Sequence, residues 1–284
     1  MRIIAVQNQK GGVGKTTTAL ALGAEAARAG GRVLLVDADA QGNLTTGLGL
    51  PLGGSAERDL AWLLGKVMQG ARPDTKAAVL GWDGVADGRS RDAIHMDVLP
   101  GGPMLAEARQ RLIPWMGPRE NAILSVLDPV RGLYDTVVID GAPVIDVLAL
   151  ACLVAADDLL VPSQAATFSV QGVGEVFGSL TMARRYNPGL RLLGVLPTMV
   201  QGSTVTQRGV LDALRGQGVP CTRTVIPYGV AAQDAAAACM PVTLGRTGHT
   251  PVGCAYRDLA NEIGLRAQGA RHAAETAAGQ GDAR

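Results

Sequence analysis

Nine residues near the start of the chain, Gln9-Lys10-Gly11-Gly12-Val13-Gly14-Lys15-Thr16-Thr17, have the types and spacing needed to hold a phosphate chain. Glycines let the backbone curl around an anion with its N–H groups turned inward. A helix opening directly after them adds the partial positive charge of its N-terminus. In such a loop the Lys15 ammonium reaches the β- and γ-phosphates and the Thr16 hydroxyl ligates Mg²⁺. A strict GxxxxGK[ST] loop has glycine at position 9; here Gln9 stands there, and a second lysine, Lys10, lies inside the loop. Lysine is otherwise rare, at positions 10, 15, 66 and 76 among 26 basic residues. Two of them in one loop mark a demand for a compact ammonium rather than a guanidinium. A glycine-rich turn without a ligand would leave both lysines without a purpose.

Three carboxylates complete the set. Asp37 and Asp39 follow the apolar run 33–36, and residues two apart in a strand share a face. Asp140 follows the run 136–139, at the strand end where a carboxylate can hold Mg²⁺ through water. The competing use of all three is the capping of turns and helices.

The elements that must position these groups are legible as alternating patterns. Strands are expected at 3–6, 33–36, 97–99, 136–139, 159–161, 192–196 and 224–226, several of them apolar on successive residues, as strands covered on both faces are. Helices are expected at 16–29, 56–68, 104–112, 120–130, 146–155, 172–185, 206–215 and 256–262. The alternation implies an α/β fold: one domain over residues 1–264 with a mostly parallel, twisted sheet and helices on both faces. Segments 47–54 and 81–91 are rich in Gly, Asp and Arg and read as surface loops. Residues 265–284 read as a flexible tail.

Composition narrows the classes. The chain has 284 residues, 47% of them apolar, so a sizeable core is available and wholesale disorder is excluded. Aromatics at 3% argue against an all-β sandwich or a base-stacking platform, and a net charge of +1 argues against a polycation. No apolar run is long enough to span a membrane, and the N-terminal run is too short for a signal peptide. Cys152, Cys221, Cys239 and Cys254 form no CxxC pair, so they read as small buried hydrophobes in a reducing cytoplasm rather than a zinc or disulfide framework.

The loop KGGVGKTTT resembles the deviant Walker A motif of the ParA/MinD ATPases, and four further stretches match that superfamily in order. Residues 37–43, DADAQGN, resemble its second motif, with Ala40 where proline is common. Residues 134–143, YDTVVIDGAP, resemble its Walker B and switch II. Residues 161–164, VPSQ, match a later strand end, and residues 223–227, RTVIP, resemble the strand whose exit loop contacts adenine through Pro227. The resemblance implies the P-loop NTPase fold, ATP and Mg²⁺ as cofactors, and slow, partner-stimulated ATP hydrolysis. It makes Asp39 the residue that orients the attacking water, Asp37 a group beside Mg²⁺, and Lys10 a signature lysine that crosses to a partner subunit's phosphates in an ATP-sandwich homodimer. In that arrangement Gly11 and Gly12 stay small because the partner backbone comes close, and segments 39–43 and 141–146 are the mobile elements of a γ-phosphate switch.

Within the superfamily the chain looks like the short, Soj-like partition ATPases. The loop at residue 10 leaves no room for a preceding helix-turn-helix domain. The C-terminus lacks the apolar face of a MinD-type membrane helix, so no membrane partner is expected. The cysteines miss the positions that iron–sulfur carriers use. Expected partners are a ParB-like centromere-binding protein and nonspecific double-stranded DNA, with a cytoplasmic, nucleoid-associated location. The alternative is an orphan relative that positions a protein cargo. Charge segregates along the chain: residues 181–226 carry six arginines and one acid, whereas residues 128–160 carry six aspartates and one arginine. The loops at 200–204 and 228–231, where relatives often place DNA-binding arginines, have no basic residue, so Arg208, Arg215 and Arg223 are the candidates for DNA phosphates.

Overall fold

The computed structural model describes residues 1–53, 58–85, 93–164, 170–202, 204–216 and 218–265. Seven strands form one sheet: β1 (Arg2–Val6), β2 (Val33–Ala38), β3 (Leu80–Val85), β4 (Ala93–Leu99), β5 (Thr136–Gly141), β6 (Asp158–Gln164) and β7 (Arg191–Thr198). Their order is β3-β4-β2-β5-β1-β6-β7, parallel throughout except β3. The helices are α1 (Lys15–Arg28), α2 (Asn43–Gly47), α3 (Leu60–Met68), α4 (Met104–Leu112), α5 (Ala122–Leu127), α6 (Val147–Ala155), α7 (Val170–Arg184), α8 (Thr204–Gly216), α9 (Ala231–Ala237) and α10 (Pro251–Glu262).

Successive apolar residues in the central strands go to opposite faces, which is why those strands read as continuous runs. Ile3, Ala5, Leu34, Val36, Val137, Ile139, Leu159 and Val161 pack with α3 to α7 on one face. Ile4, Val6, Val33, Leu35, Val138 and Leu160 pack with α1 and α10 on the other. Each fully buried Leu or Ile in these layers contributes about 1.5–3 kcal/mol relative to exposure. The helix α1 lies close on the sheet because Gly23 offers no side chain: a Cβ there would sit 2.5 Å from Leu35 Cδ2.

Three expectations change. The segment read as a loop at 81–91 begins with β3, an edge strand paired antiparallel with β4; Trp82 is its one buried side chain, so no apolar run announces it. Residues 86–92, the rest of that segment, lie outside the described residues. The strand expected at 224–226 is an irregular segment beside β7. Its outer N–H groups, on Thr222 and Ile226, bond Val195 and Pro197 carbonyls of β7. Between them the Arg223 and Thr224 N–H groups donate to the Glu262 carboxylate (2.6 and 2.8 Å), which takes the chain out of the ladder. Finally, Leu265, placed in the tail by the sequence, is fully buried against the α10 layer. Residues 266–284 lie outside the described residues.

The edge hairpin carries a chain of polar contacts. His95 meets Asp83 through Nδ1 (2.9 Å) and Asp97 through Nε2 (3.2 Å), and Tyr134 donates to the other oxygen of Asp97 (2.7 Å). The hydrogen bond to Asp83 and the two carboxylate charges raise the His95 pKa, against a smaller opposing effect of burial. A histidine raised in the folded state contributes stability that is fully present below its unfolded value of about 6.5 and is lost as pH rises through the folded value. His95→Gln is therefore expected to flatten the pH dependence of Tm just above that value; an unchanged slope would show that the imidazole does not hold the hairpin.

Candidate active site

The sheet order brings the chemistry together. β2, β5 and β1 are neighbours, so Asp37 pairs in register with Asp140, and Asp140 with Val6, the last residue before the glycine loop. The chain leaves β1, turns through residues 7–14 and enters α1 at Lys15. Gly14 caps α1 in the left-handed region (φ 88°), where any Cβ is strained. No side chain caps the helix there, which leaves its first N–H groups for an anion.

Side chains at the ends of β6 and β7 pin the loop from behind. Thr198 Oγ1 donates to the Val13 carbonyl (2.9 Å) and Gln164 Nε2 to the Gly12 carbonyl (3.4 Å). Asn8 donates to the Pro162 carbonyl (2.7 Å) and accepts from the Lys10 N–H (3.0 Å). The buried Lys15 ammonium donates to the Lys10 carbonyl (2.8 Å). Burial lowers the Lys15 pKa, opposed by the charges of Asp140 and Asp39, so all three groups share one electrostatic environment.

Thr16 Oγ1 donates to Asp140 Oδ2 (2.7 Å). Asp140 is 1% exposed and its other oxygen, Oδ1, has no hydrogen-bond partner among the described residues. Burial and the neighbouring Asp37 push the Asp140 pKa well up. A buried carboxylate oxygen with nothing to accept from, beside a hydroxyl, is a hard oxygen donor set of the kind Mg²⁺ takes. Thr16 and Asp140 thus fit the metal. Asp37 is differently placed: Oδ2 accepts from both the N–H (2.9 Å) and the hydroxyl (2.7 Å) of Thr45, and Oδ1 accepts from the Asp39 N–H (3.3 Å). Gly141 is required at the end of β5, since a Cβ there would lie 2.5 Å from Gln7 Oε1 and 3.3 Å from the Val6 carbonyl oxygen.

A cleft of about 580 Å³ opens over the loop. Gly11, Gly12, Gly14, Lys15, Thr16 and Thr17 form its floor, and Asp39, Gln41 and Asn43 one wall. The half-buried Asp39 accepts from the Gln41 N–H through Oδ1 (3.0 Å). Lys10 and Val13 do not line the cleft: Val13 is buried behind the loop and the Lys10 side chain is exposed outside it. Pro227 does not line it either. It faces a second cleft of about 680 Å³ with Arg223, Pro251 and Glu262. Ala232, Ala235 and Ala236 of α9 with Met199, Met240 and Val242 give the cleft an apolar wall. The sequence reading missed this wall; its only signal was the alanine-rich stretch 231–238, interrupted by Gln233 and Asp234, which carries no apolar periodicity.

Of the candidate arginines, Arg208 and Arg215 lie seven residues apart on α8, hence on one face of it. The side chain of Arg208 is outside the described set. Exposed Arg215 stands 3.8 Å from Asp212, and Arg223, 79% exposed, stands 3.8 Å from Glu262. Neither Arg215 nor Arg223 lines the nucleotide cleft.

A glycine loop between a central parallel strand and a buried helix, backed by a Thr–Asp pair for a metal, defines a P-loop nucleoside triphosphatase. Residues 1–192 match the AAA domain family. The chain is 38% identical over 273 residues to the chromosome-partitioning ATPase Soj of Thermus thermophilus, covering 94% of this chain and 97% of that one. It is 32% identical to the sporulation initiation inhibitor protein Soj of Bacillus subtilis, with 92% and 98% covered. Among solved structures, cobyrinic acid a,c-diamide synthase of Mycobacterium smegmatis, with bound ADP and magnesium, aligns with a TM-score of 0.74 at 32% identity over 93% of this chain and 94% of that one. The chain belongs to the ParA/MinD superfamily of P-loop ATPases, on its Soj-like branch. Among the described residues no helix is long and apolar enough to cross a membrane.

Proposed function

We propose that this protein is an ATP-dependent DNA partition ATPase of the short type, working as an ATP-sandwich dimer on nonspecific DNA. The observation that carries the reading is the division of labour between two lysines five residues apart: Lys15 is buried in the cleft beside Asp140 and Asp39, and Lys10 is exposed outside it. One lysine serves the chain's own nucleotide; the other is free to serve a partner's.

ATP lies with its phosphates on residues 11–17 and its base toward the alanine wall of α9. Thr16 and Asp140 would hold Mg²⁺, which would supply charge neutralisation on the phosphates. Lys15 releases the Lys10 carbonyl and takes up the phosphate charge. Asp39 orients the attacking water at the cleft rim. Lys10 of each protomer reaches the other's nucleotide, so the dimer lasts as long as the γ-phosphate. Gly11 is compatible with this use: it has no positive φ, and a Cβ there would meet nothing within 4 Å in the single chain, so the chain's own packing does not fill the space beside it. A ParB-like centromere-binding protein then stimulates hydrolysis and releases the dimer from the nucleoid, in the cytoplasm. The named activity of the Soj relatives supports partition as the task.

Sedimentation velocity tests the cycle: a dimer with Mg²⁺ and ATP, a monomer with ADP or no nucleotide. One mass in all three states would exclude a sandwich. DNA contact is assigned to Arg208, Arg215 and Arg223. Exchanging all three for Glu is expected to weaken duplex binding by the ATP state more than about tenfold and to lower the slope of log affinity against log salt by up to about 0.9 per lost phosphate contact. Binding that keeps its affinity and slope would remove the three arginines from the interface. One observation favours positioning of a protein cargo as a second reading: the loop before α9 presents exposed Tyr228 (57%) and Val230 (61%) rather than cations.

A further inference from the structure

We propose that Thr45 is a positioning residue for hydrolysis, and that with Asp37 it forms a buried clip closing the base of the loop that carries Asp39. Residues 37 and 45 are both fully buried, one at the end of β2 and the other inside α2. Asp37 Oδ2 accepts twice from Thr45, from its N–H (2.9 Å) and its hydroxyl (2.7 Å). The same hydroxyl accepts from the Gly101 N–H (3.1 Å), which ties in the connection between β4 and α4. That connection comes so close that a Cβ on Gly101 would lie 2.5 Å from the Asp37 carbonyl oxygen. Three chain segments therefore meet on one threonine hydroxyl and one carboxylate.

Everything between the two ends of the clip hangs from it. The Asp39 N–H donates to Asp37 Oδ1 (3.3 Å), Asp39 Oδ1 accepts from the Gln41 N–H (3.0 Å), and the Asp39 carbonyl accepts from the Gly42 N–H (3.0 Å). Hydrogen bonds to a buried carboxylate are short and strong, and an ionised anchor satisfied by three donors holds its loop in one place. The two buried carboxylates of the site thus divide the work. Asp140 keeps an oxygen without a partner; Asp37 has donors on both oxygens and is spent on the loop. Thr45 itself does not line the cleft, whereas its neighbour Thr46 does. Its effect on the reaction must pass through Asp39, whose role as the water-orienting group under the proposed function is what this assignment rests on.

Thr45→Val keeps the shape and removes the hydroxyl. It is expected to lower kcat for ATP about tenfold, the scale of a small misplacement of a reacting group, while KM and nucleotide affinity stay within about twofold. Thr45→Ser restores the hydroxyl and is expected to return kcat to within about threefold of the unaltered protein. A Val variant with undiminished kcat, or a Ser variant as impaired as the Val one, would overturn the assignment. Should Thr45→Val fail to fold, amide hydrogen exchange on the unaltered protein decides. The Thr45 amide is expected to stay protected both without nucleotide and with Mg²⁺ and a non-hydrolysable ATP analogue. Loss of its protection on adding Mg²⁺ and analogue would show Asp37 leaving the clip for the metal. If the unaltered protein turns over no ATP, the proposed function fails instead, and the exchange measurement still decides the clip.

Discussion

Asp39→Ala is expected to lower the rate of ATP hydrolysis by at least about 100-fold, the lower end of what a positioned acid–base group contributes, with ATP binding retained. Asp39 is the carboxylate at the rim of the cleft that is neither fully buried nor paired with the metal-side hydroxyl. Asp140 holds Thr16, and Asp37 is taken by Thr45. Under the proposed function, water approaching the γ-phosphate from the open side of the cleft would meet Asp39, whose carboxylate and carbonyl accept from the Gln41 and Gly42 N–H groups. Removing it also removes a negative charge near the phosphates, so affinity for ATP does not suffer. The checks are phosphate release under saturating Mg²⁺ and ATP, and nucleotide affinity by fluorescence titration. Hydrolysis within a few-fold of the unaltered protein would take Asp39 out of the mechanism.

Lys10→Ala is expected to leave nucleotide binding by the single chain intact and to abolish ATP-dependent dimerisation. The Lys10 backbone is fixed on both sides, its N–H by Asn8 and its carbonyl by Lys15, so the side chain starts from a defined place outside its own cleft. Truncating one partner of a buried interfacial charge pair costs about 2–5 kcal/mol, or about thirtyfold and upward in the dimer dissociation constant. Lys15→Ala makes the contrast, because it removes the ammonium buried in the chain's own site and with it the nucleotide. An ATP-bound Lys10→Ala dimer as tight as the unaltered one would refute the exchange of lysines between subunits.

The phosphate loop, the strand-end carboxylates and the parallel core were legible because each depends on residues close in sequence. The loop follows an apolar run and opens a helix; Asp140 and Asp39 stand where their strands end. What could not be read depends on partners far along the chain. The acidic segment 128–160 is not an acidic face: Asp135 pairs with Arg32, Asp146 caps α6 and meets Arg109, Asp157 accepts the Ile3 N–H, and Asp158 lies between Arg2 and Arg191. That last pair also draws one arginine out of the basic segment, and Arg184 is bonded to the Leu190 carbonyl (2.9 Å). Thr224-Val225-Ile226 has the β-branched character of a strand, but the Thr224 N–H, like that of Arg223 before it, is claimed by Glu262 from α10. Asp37 and Asp39 share a strand-like spacing, yet Thr45, eight residues on, decides that one is an anchor and the other faces the cleft. Of the four cysteines read as buried hydrophobes only Cys152 is buried, where burial pushes its thiol up to about 12; Cys221 and Cys239 are partly buried and Cys254 is exposed, because they sit on segments at the edge of the core rather than inside α6.

The most direct test of an ATP-switched, DNA-riding dimer is co-sedimentation of the Asp39→Ala variant with a random-sequence duplex at one fixed salt concentration. ATP with Mg²⁺, ADP with Mg²⁺ and no nucleotide are compared. The expected result is binding with ATP alone. Binding that is equal in all three states, or absent from all three, would contradict the account and turn the search toward a protein cargo.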